Sequence, residues 1–189
     1  MKAKEPESFK NLVEAFNTLP SIGEKSALKL AYHIVTEGGY DGAKLAHAIE
    51  KALESIRRCV RCNNLSEDEL CSICSDESRD ASKVCIVESA KDILTIEELG
   101  HYDGLYYVLS DVDDFDLMHL KEALKDANEV IFAFAPSIAS DTLILFMESQ
   151  LEDLDIKFTK IAQGVPTGIS LENVDTLSLV RALEDRVDI

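Results

Sequence analysis

Four closely spaced cysteines constrain this chain more than any other feature of its sequence. In "CVRCNNLSEDELCSIC", residues 59 to 74, eight residues separate two Cys-x2-Cys pairs. Each pair can curl as a knuckle that points both sulfurs at one Zn²⁺, and four thiolates close a tetrahedral site that leaves no position for a substrate. The spacing predicts one structural zinc ion per chain, bound by Cys59, Cys62, Cys71 and Cys74. A redox-active cysteine pair is the alternative.

The cellular compartment bears on the choice between these two interpretations. The 189 residues contain no run approaching the roughly 18 apolar residues that a membrane-spanning helix needs. The N-terminal "MKAKEPESFK" is polar, whereas a signal peptide has an apolar centre. We therefore expect a cytoplasmic protein without a membrane partner, where paired cysteines bind metal more often than they form disulfides. Cys85, in the apolar run "KVCIVES", is expected to be a buried hydrophobic residue rather than a fifth ligand.

The formal net charge of -17 is distributed unevenly along the chain. Residues 1 to 83 carry 12 Lys and Arg against 14 Asp and Glu, whereas residues 84 to 189 carry 7 against 22. The first part is thus nearly neutral and the second strongly acidic. Any surface that contacts nucleic acid is expected in the first part.

Apolar residues recur at helical spacing in three stretches that precede the cysteines. The first helix is predicted over residues 9 to 17 and stops at "TLPSIG". The second ends near Gly38, and the third runs from Leu45 to Ile56. The first 58 residues are therefore predicted to form an all-helical unit.

The turn between the first two predicted helices, in "LPSIGEKSALKLAYHIV", is typical of a helix-hairpin-helix. Gly23 lets the backbone approach a phosphate, and the amides at the start of the second helix point at the anion. Lys25 and Lys29 lie on one helix face and can contact the same DNA strand. Such a module grips the backbone without sequence preference. An ordinary αα-hairpin is the alternative, and it is favoured by Ser21, at the position of the usual first glycine, and by the acidic Glu24.

Strand and helix patterns alternate after a polar linker at residues 75 to 82. This alternation predicts an α/β fold with a parallel, helix-covered sheet. A last amphipathic helix is predicted to carry Val174, Leu177, Val180 and Leu183. The predicted strands are residues 84 to 89, 104 to 109, 129 to 135 and 156 to 162, and the helices between them are residues 90 to 99, 116 to 126 and 138 to 152.

Hairpin, cysteine knuckles and parallel sheet, in this order, resemble the bacterial RecR family of recombination mediators over nearly the whole chain. The matching segments are "LPSIGEKSALKLAYHIV", "CVRCNNLSEDELCSIC", "VCIVESAKDILTIEELGHYDGLYYVL" and "IAQGVPTGISLENVDTLSLVRALEDR". The resemblance implies a helix-hairpin-helix DNA-binding region (1 to 58), a four-Cys zinc finger (59 to 74), a Toprim domain (84 to 162) and a C-terminal oligomerisation segment (163 to 189). It also implies assembly into a ring-like homotetramer.

The resemblance further implies partners and site residues. RecR proteins act with RecO, and in many bacteria RecF, to load RecA recombinase onto single-stranded DNA, and they are not known as enzymes. Lys25 and Lys29 fall where the family carries its DNA-contacting basic pair, and the four cysteines fall on its zinc ligands. The implied DNA partner is a gap or junction between single and double strands, bound without sequence preference.

Toprim enzymes hold Mg²⁺ with a Glu after the first strand and an Asp-x-Asp cluster after a later one. Glu88 follows the first predicted strand in "CIVES", but "FAFAPSIASD" offers Asp141 alone. One carboxylate near a distant second one is too little charge for Mg²⁺ without substrate phosphates. The acidic run Asp111, Asp113, Asp114 and Asp116 is most simply a solvated charge run.

Three functional hypotheses follow. The leading one is a non-enzymatic, zinc-stabilised DNA-repair mediator that clamps DNA through the hairpin residues Gly23, Lys25 and Lys29. The second is a Toprim-type metal-dependent enzyme acting on DNA phosphodiesters, which requires Glu88. The third is a protein-binding scaffold whose acidic domain docks a basic partner such as RecO, and the net charge of -17 supports it because long-range repulsion opposes a DNA clamp.

Overall fold

The computed structural model of the chain describes residues 5 to 109, 116 to 162, 165 and 168 to 184. The chain divides into two compact units, residues 1 to 56 and 57 to 189. No helix within the described ranges is long and apolar enough to cross a membrane.

The first unit consists of the three predicted helices: α1 (Glu7–Asn17), α2 (Glu24–Thr36) and α3 (Gly39–Ser55). Helix α3 begins six residues earlier than the pattern from Leu45 indicates, directly after Gly38. Helices α1 and α2 pack against each other and are joined by the turn at residues 18 to 23. Ala27 and Ala31 are the buried side chains of this unit among the residues described. Small residues at the contact let the helices approach closely, but they leave little apolar surface buried.

The second unit is built on a four-stranded parallel sheet, which confirms the predicted α/β fold class. Strands lie in the order β4-β3-β5-β6, so the chain runs from β3 outward to β4 and then returns past β3 to β5. The elements are β1 (Arg57–Arg58), β2 (Leu65–Ser66), β3 (Asp80–Val87), α4 (Ala90–Leu99), β4 (Gly104–Val108), α5 (Leu117–Ala123), β5 (Glu129–Ala133), α6 (Ile138–Gln150), β6 (Lys157–Lys160) and α7 (Thr176–Glu184). With this strand order, helix α4 covers one face of the sheet, and α5 and α6 cover the other.

Alternating side chains of β3 and β4 supply both faces of the core. Cys85, Val87, Tyr106 and Val108 face α4 and its Ile93. Val84, Ile86, Leu105 and Tyr107 face α5 and α6 on the other side, together with Phe132 of β5. A parallel strand buried on both faces reads as a continuous apolar run, which is why "VCIV" and "LYYV" are recognisable in the sequence.

The structure differs from the prediction at three further points. Strand β3 begins at Asp80, inside the predicted polar linker, because the Asp80 amide donates to the Asp103 carbonyl at 2.9 Å and Asp80 pairs with Gly104. Strands β1 and β2 form an antiparallel hairpin that was not predicted. Val174 precedes α7 rather than lying on it, after a short 3-10 turn at Leu171–Asn173.

Candidate functional site

The four predicted ligands come together in the second unit. The Sγ atoms of Cys59, Cys62, Cys71 and Cys74 all lie within 4.8 Å of one another. A tetrahedral site with Zn–S bonds of about 2.3 Å needs sulfurs roughly 3.8 Å apart, and the Sγ atoms of Cys62 and Cys71 are separated by 3.6 Å. The cysteines therefore fit a single Zn²⁺. Among the described residues they are the one group of three or more His, Cys, Asp or Glu side chains placed to hold a metal.

Backbone hydrogen bonds shape the two knuckles. Asn63 has a left-handed φ of 61°, which lets its amide donate to the Cys59 carbonyl at 3.0 Å. The Cys59 amide donates to the Asn64 carbonyl at 2.7 Å, and the Cys71 amide donates to the Cys59 Sγ at 3.3 Å. Amide donation to sulfur favours the thiolate, the form that binds metal. The second knuckle is closed by the Ser75 amide, which donates to the Cys71 carbonyl at 3.0 Å.

The thiols influence one another's ionisation. Hydrogen bonds to Cys71 and Cys74, together with burial, raise the pKa of Cys62. The pKa of Cys71 is lowered, because the side chains of Cys62 and Cys74 donate to its sulfur. Like charges and burial keep the group from ionising completely by itself. Zn²⁺ would supply the positive charge that stabilises four adjacent thiolates, with release of the remaining protons.

The segment that carries the four cysteines, residues 59 to 74 (the zinc module), packs against the outer edge of strand β4. The Val108 amide of β4 donates to the Cys62 carbonyl at 2.8 Å, and the Asn63 side-chain amide donates to the Val108 carbonyl at 3.3 Å. Among the strands that the structure describes, β4 has no other neighbour on this side. The first knuckle therefore satisfies backbone groups that an open edge would leave unpaired.

His119 joins the module to the sheet by a second route. Its Nε2 lies 2.7 Å from the Val60 carbonyl oxygen, and its Nδ1 lies 3.0 Å from the Tyr107 hydroxyl. A carbonyl can only accept, so Nε2 donates to Val60, and in the tautomer with its proton on Nε2 the Nδ1 atom accepts from the Tyr107 hydroxyl. Burial raises the pKa of Tyr107 to about 12, which keeps this hydroxyl protonated. Sequence reasoning missed this contact because Val60 and His119 are 59 residues apart.

Arg79 fixes the segment that leaves the module. Its guanidinium forms an ion pair with Glu97 and also donates to the carbonyls of Tyr102 at 3.2 Å and Gly104 at 3.3 Å. The Tyr106 hydroxyl donates to Glu97 Oε1 at 2.6 Å. The hydrogen bond from Arg79 lowers the pKa of Glu97, which keeps the carboxylate charged. This network ties the predicted linker to α4 and β4.

The predicted hairpin turn lies between α1 and α2. Ser21 adopts a left-handed φ of 65°, the conformation that a glycine adopts without strain. Gly23 is the N-cap of α2 with φ -88° and ψ 169°, and no side chain caps the first turn of the helix. Its backbone does not require glycine, but the missing side chain leaves the first amides of α2 accessible to an external acceptor.

Lys25 and Lys29 lie in the first two turns of α2 and are exposed. Neither forms an ion pair within the part of the chain that the structure describes, whereas Lys10 of α1 pairs with Glu14 at 3.3 Å. At a spacing of four residues they point from the same helix face. The arrangement places two positive charges beside uncapped helix amides, which suits a phosphodiester backbone.

The predicted Toprim carboxylates Glu88 and Asp141 have different neighbours. Glu88 is exposed just after β3 and lines a cavity of about 550 Å³ with Ser137, Leu143 and Phe146. Asp141 lies in the first turn of α6 and pairs with Lys160 at 3.5 Å. Asp116 caps α5 by accepting from the His119 amide at 3.0 Å. Asp111, Asp113 and Asp114 of the predicted acidic run lie outside the described residues.

Comparison with known proteins supplies the family. Residues 9–53 match the family model of the RecR helix-hairpin-helix, and residues 56–76 match the model of the RecR zinc finger domain with four cysteines. Together with the sulfur geometry, the second match identifies the metal as one structural zinc ion.

Curated relatives match over nearly the whole chain. The Recombination protein RecR of a Nitratiruptor species is 57% identical over 183 residues, which is 96% of each chain. The protein of the same name from Campylobacter jejuni subsp. doylei is 51% identical over 99% of this chain and 100% of its own. That from Helicobacter pylori is 46% identical over 95% of this chain and 94% of its own. These matches show that the chain belongs to the RecR family of recombination proteins and has a role in recombinational DNA repair.

Proposed function

We propose that the protein is a non-enzymatic recombination mediator that binds DNA through Gly23, Lys25 and Lys29. The observation that carries the proposal is the exposed, ion-pair-free position of both lysines, among the described residues, beside the uncapped start of α2. Contacts of this kind reach the phosphodiester backbone and not the base edges. The protein would therefore recognise gapped or junction DNA by its shape and charge, without sequence preference.

The assembly that we propose is a homotetrameric clamp. The region of residues 1 to 58, which is helical as far as Ser55, would hold DNA. The zinc finger of residues 59 to 74 would brace the sheet, and the Toprim domain of residues 84 to 162 would present acidic surface. Residues 163 to 189 would contribute to oligomerisation. The division of the chain after residue 56 supports the first boundary.

The protein partners that we propose are RecO and, in addition, RecF, with loading of RecA onto single-stranded DNA as the outcome. The excess of 22 acidic over 7 basic residues after residue 83 supports a basic partner for the second unit. The proposal that the protein is not an enzyme is supported by the single carboxylate of "FAFAPSIASD", Asp141, which pairs with Lys160 at 3.5 Å. Cleavage of DNA with added Mg²⁺ that is lost in Glu88→Gln would contradict this part of the proposal.

The test of DNA binding is fluorescence anisotropy of a labelled gapped duplex over a salt series. The wild type is expected to bind with an affinity that falls steeply with salt, because each phosphate contact contributes a slope of about -0.9 in log K against log salt. The Lys25→Ala, Lys29→Ala variant is expected to lose binding while zinc content and oligomeric state stay unchanged.

A matched control is the Lys44→Ala, Lys51→Ala variant, which removes two exposed lysines of α3 that also form no ion pair within the described residues. It removes the same charge from the same unit, so it should retain binding. Unchanged affinity in the Lys25 and Lys29 variant would remove the hairpin from the mechanism. If the wild type itself binds no DNA, the protein is a scaffold that reaches DNA through its partners.

A further inference from the structure

Among its described side chains, the acidic second unit has few cations that are free to meet a ligand. Seven of its lysines and arginines form ion pairs, from Arg61 with Asp126 at 3.9 Å to Lys160 with Asp141 at 3.5 Å. Arg57, Arg58 and Lys91 are the cations of this unit that form no ion pair among the side chains that the structure describes. Two of these three are adjacent in sequence.

Arg57 and Arg58 form strand β1, directly before the zinc module. Both side chains are exposed, and neither makes a hydrogen bond with any other described residue. Arg57 pairs with Ser66 and Arg58 with Leu65 across the hairpin, and Cys59 follows directly. The metal site therefore fixes the backbone that carries both arginines. A guanidinium on a fixed backbone loses less conformational freedom when it binds than one on a loop.

We propose that Arg57 and Arg58 form a second contact of this protein with the nucleic-acid phosphodiester backbone, separate from the hairpin lysines. Guanidinium groups match phosphate oxygens in bidentate geometry and stay charged at any physiological pH. Successive residues of a strand point to opposite faces, so the two side chains reach separate phosphates. The zinc module then has a role in binding beyond its support of the sheet.

Charge complementarity selects a polyanion over the basic protein surface that the acidic second unit would otherwise attract. The exposed Glu67, Asp68 and Glu69 follow β2, and within the described part of the chain no ion pair joins them to either arginine. A protein partner for this unit is expected to be basic, since the unit is acidic overall, and a basic partner would repel Arg57 and Arg58. A polyanion is therefore the ligand whose charge complements both arginines.

The inference rests on the proposed DNA binding. The salt series distinguishes the contact at Arg57 and Arg58 from the contact at the hairpin lysines. Arg57→Gln and Arg58→Gln are each expected to reduce the magnitude of the slope of log K against log salt by about 1. The double variant is expected to reduce it by about 2. Arg57→Lys should keep the wild-type slope, because it keeps the charge. Lys91→Gln is the matched control, since it removes one exposed charge from the same unit, with no ion pair among the described side chains, and should leave the slope unchanged.

Zinc content by metal analysis and the thermal unfolding midpoint are measured for every variant, so that a slope change is attributed only to a folded, metal-loaded protein. A wild-type slope in the folded double variant overturns the second contact and leaves the hairpin proposal intact. A reduced slope in the arginine variants with normal binding by the Lys25 and Lys29 variant supports the second contact and overturns the hairpin. An equal effect of Lys91→Gln overturns the second contact in favour of a general effect of net charge.

Discussion

Ser21 holds a backbone conformation that costs a residue with a Cβ about 1–2 kcal/mol relative to right-handed geometry. Glycine avoids that cost but loses about 0.5–1 kcal/mol more in conformational entropy on folding. The backbone strain at Ser21 therefore outweighs the entropy that glycine would lose. We predict that Ser21→Gly raises the free energy of unfolding by about 0.5–1 kcal/mol, measured by urea unfolding with circular dichroism.

The reverse substitution two residues later is the control. Gly23 has ordinary extended φ and ψ angles, and a Cβ there would meet nothing within 4 Å. Gly23→Ser should be tolerated and should add a few tenths of a kcal/mol, since serine is a better N-cap than glycine. A loss of stability in Ser21→Gly would show that the serine side chain makes a contact outweighing the backbone strain.

The role of a residue could be predicted from the sequence where the residues that it contacts are close in sequence. The four ligands followed from the spacing of Cys59 to Cys74, because each knuckle is a local turn with its own hydrogen bonds. Arg79 and His119 were not recognised. Their partners are 18 and 59 residues away, and such pairings depend on how the sheet is assembled.

At the scale of elements, the zinc module forms hydrogen bonds with the outer edge of β4, where a further strand would otherwise pair. Its hydrogen bond from the Val108 amide to the Cys62 carbonyl at 2.8 Å depends on a knuckle that the metal holds closed. We predict that chelation of zinc, or Cys71→Ser, accelerates hydrogen exchange at the Val108 amide at least roughly tenfold, because a structural metal supplies local folding free energy.

Strand β5 provides the internal control for this measurement. It is paired on both sides, by β3 and β6, and does not depend on the module for its hydrogen bonds. Amides of Glu129–Ala133 should therefore keep more of their protection than Val108 when zinc is removed. Equal protection of the Val108 amide from hydrogen exchange with and without zinc would mean that the edge of β4 is stable without the first knuckle.

The sheet was predictable because its strands are continuous apolar runs between amphipathic helices. The hairpin of β1 and β2 was not, since two-residue strands are too short to show a period, and their pairing is set by the knuckle between them. The start of β3 was missed for a related reason. Its first residues, at Asp80, are polar and pair at the sheet margin across a register shift.

At the scale of the whole molecule, the first unit buries too little apolar surface by itself. Among residues 5–56, the buried side chains are those of Ala27 and Ala31, while Tyr32, Val35 and Leu53 are 59%, 61% and 80% exposed. Phe9, Tyr32 and Val35 line a groove of about 630 Å³ beside α1 and α2. An exposed apolar surface of this kind in a small helical unit is typical of a protein–protein interface. It supports the proposed homo-oligomer.

We predict that Val35→Asp dissociates this oligomer into smaller species without unfolding the subunit. Val35 is exposed in the single chain, so an aspartate there stays solvated, and its place in the last turn of α2 should cost at most about 1 kcal/mol. In an apolar contact between copies the same carboxylate would be buried without a partner, which costs several kcal/mol. Sedimentation velocity should show a lower mass, and circular dichroism should show unchanged helix content. Asn11→Asp, the same charge change at an exposed position of α1, should keep the wild-type mass, and an unchanged mass in Val35→Asp would place the subunit contacts elsewhere.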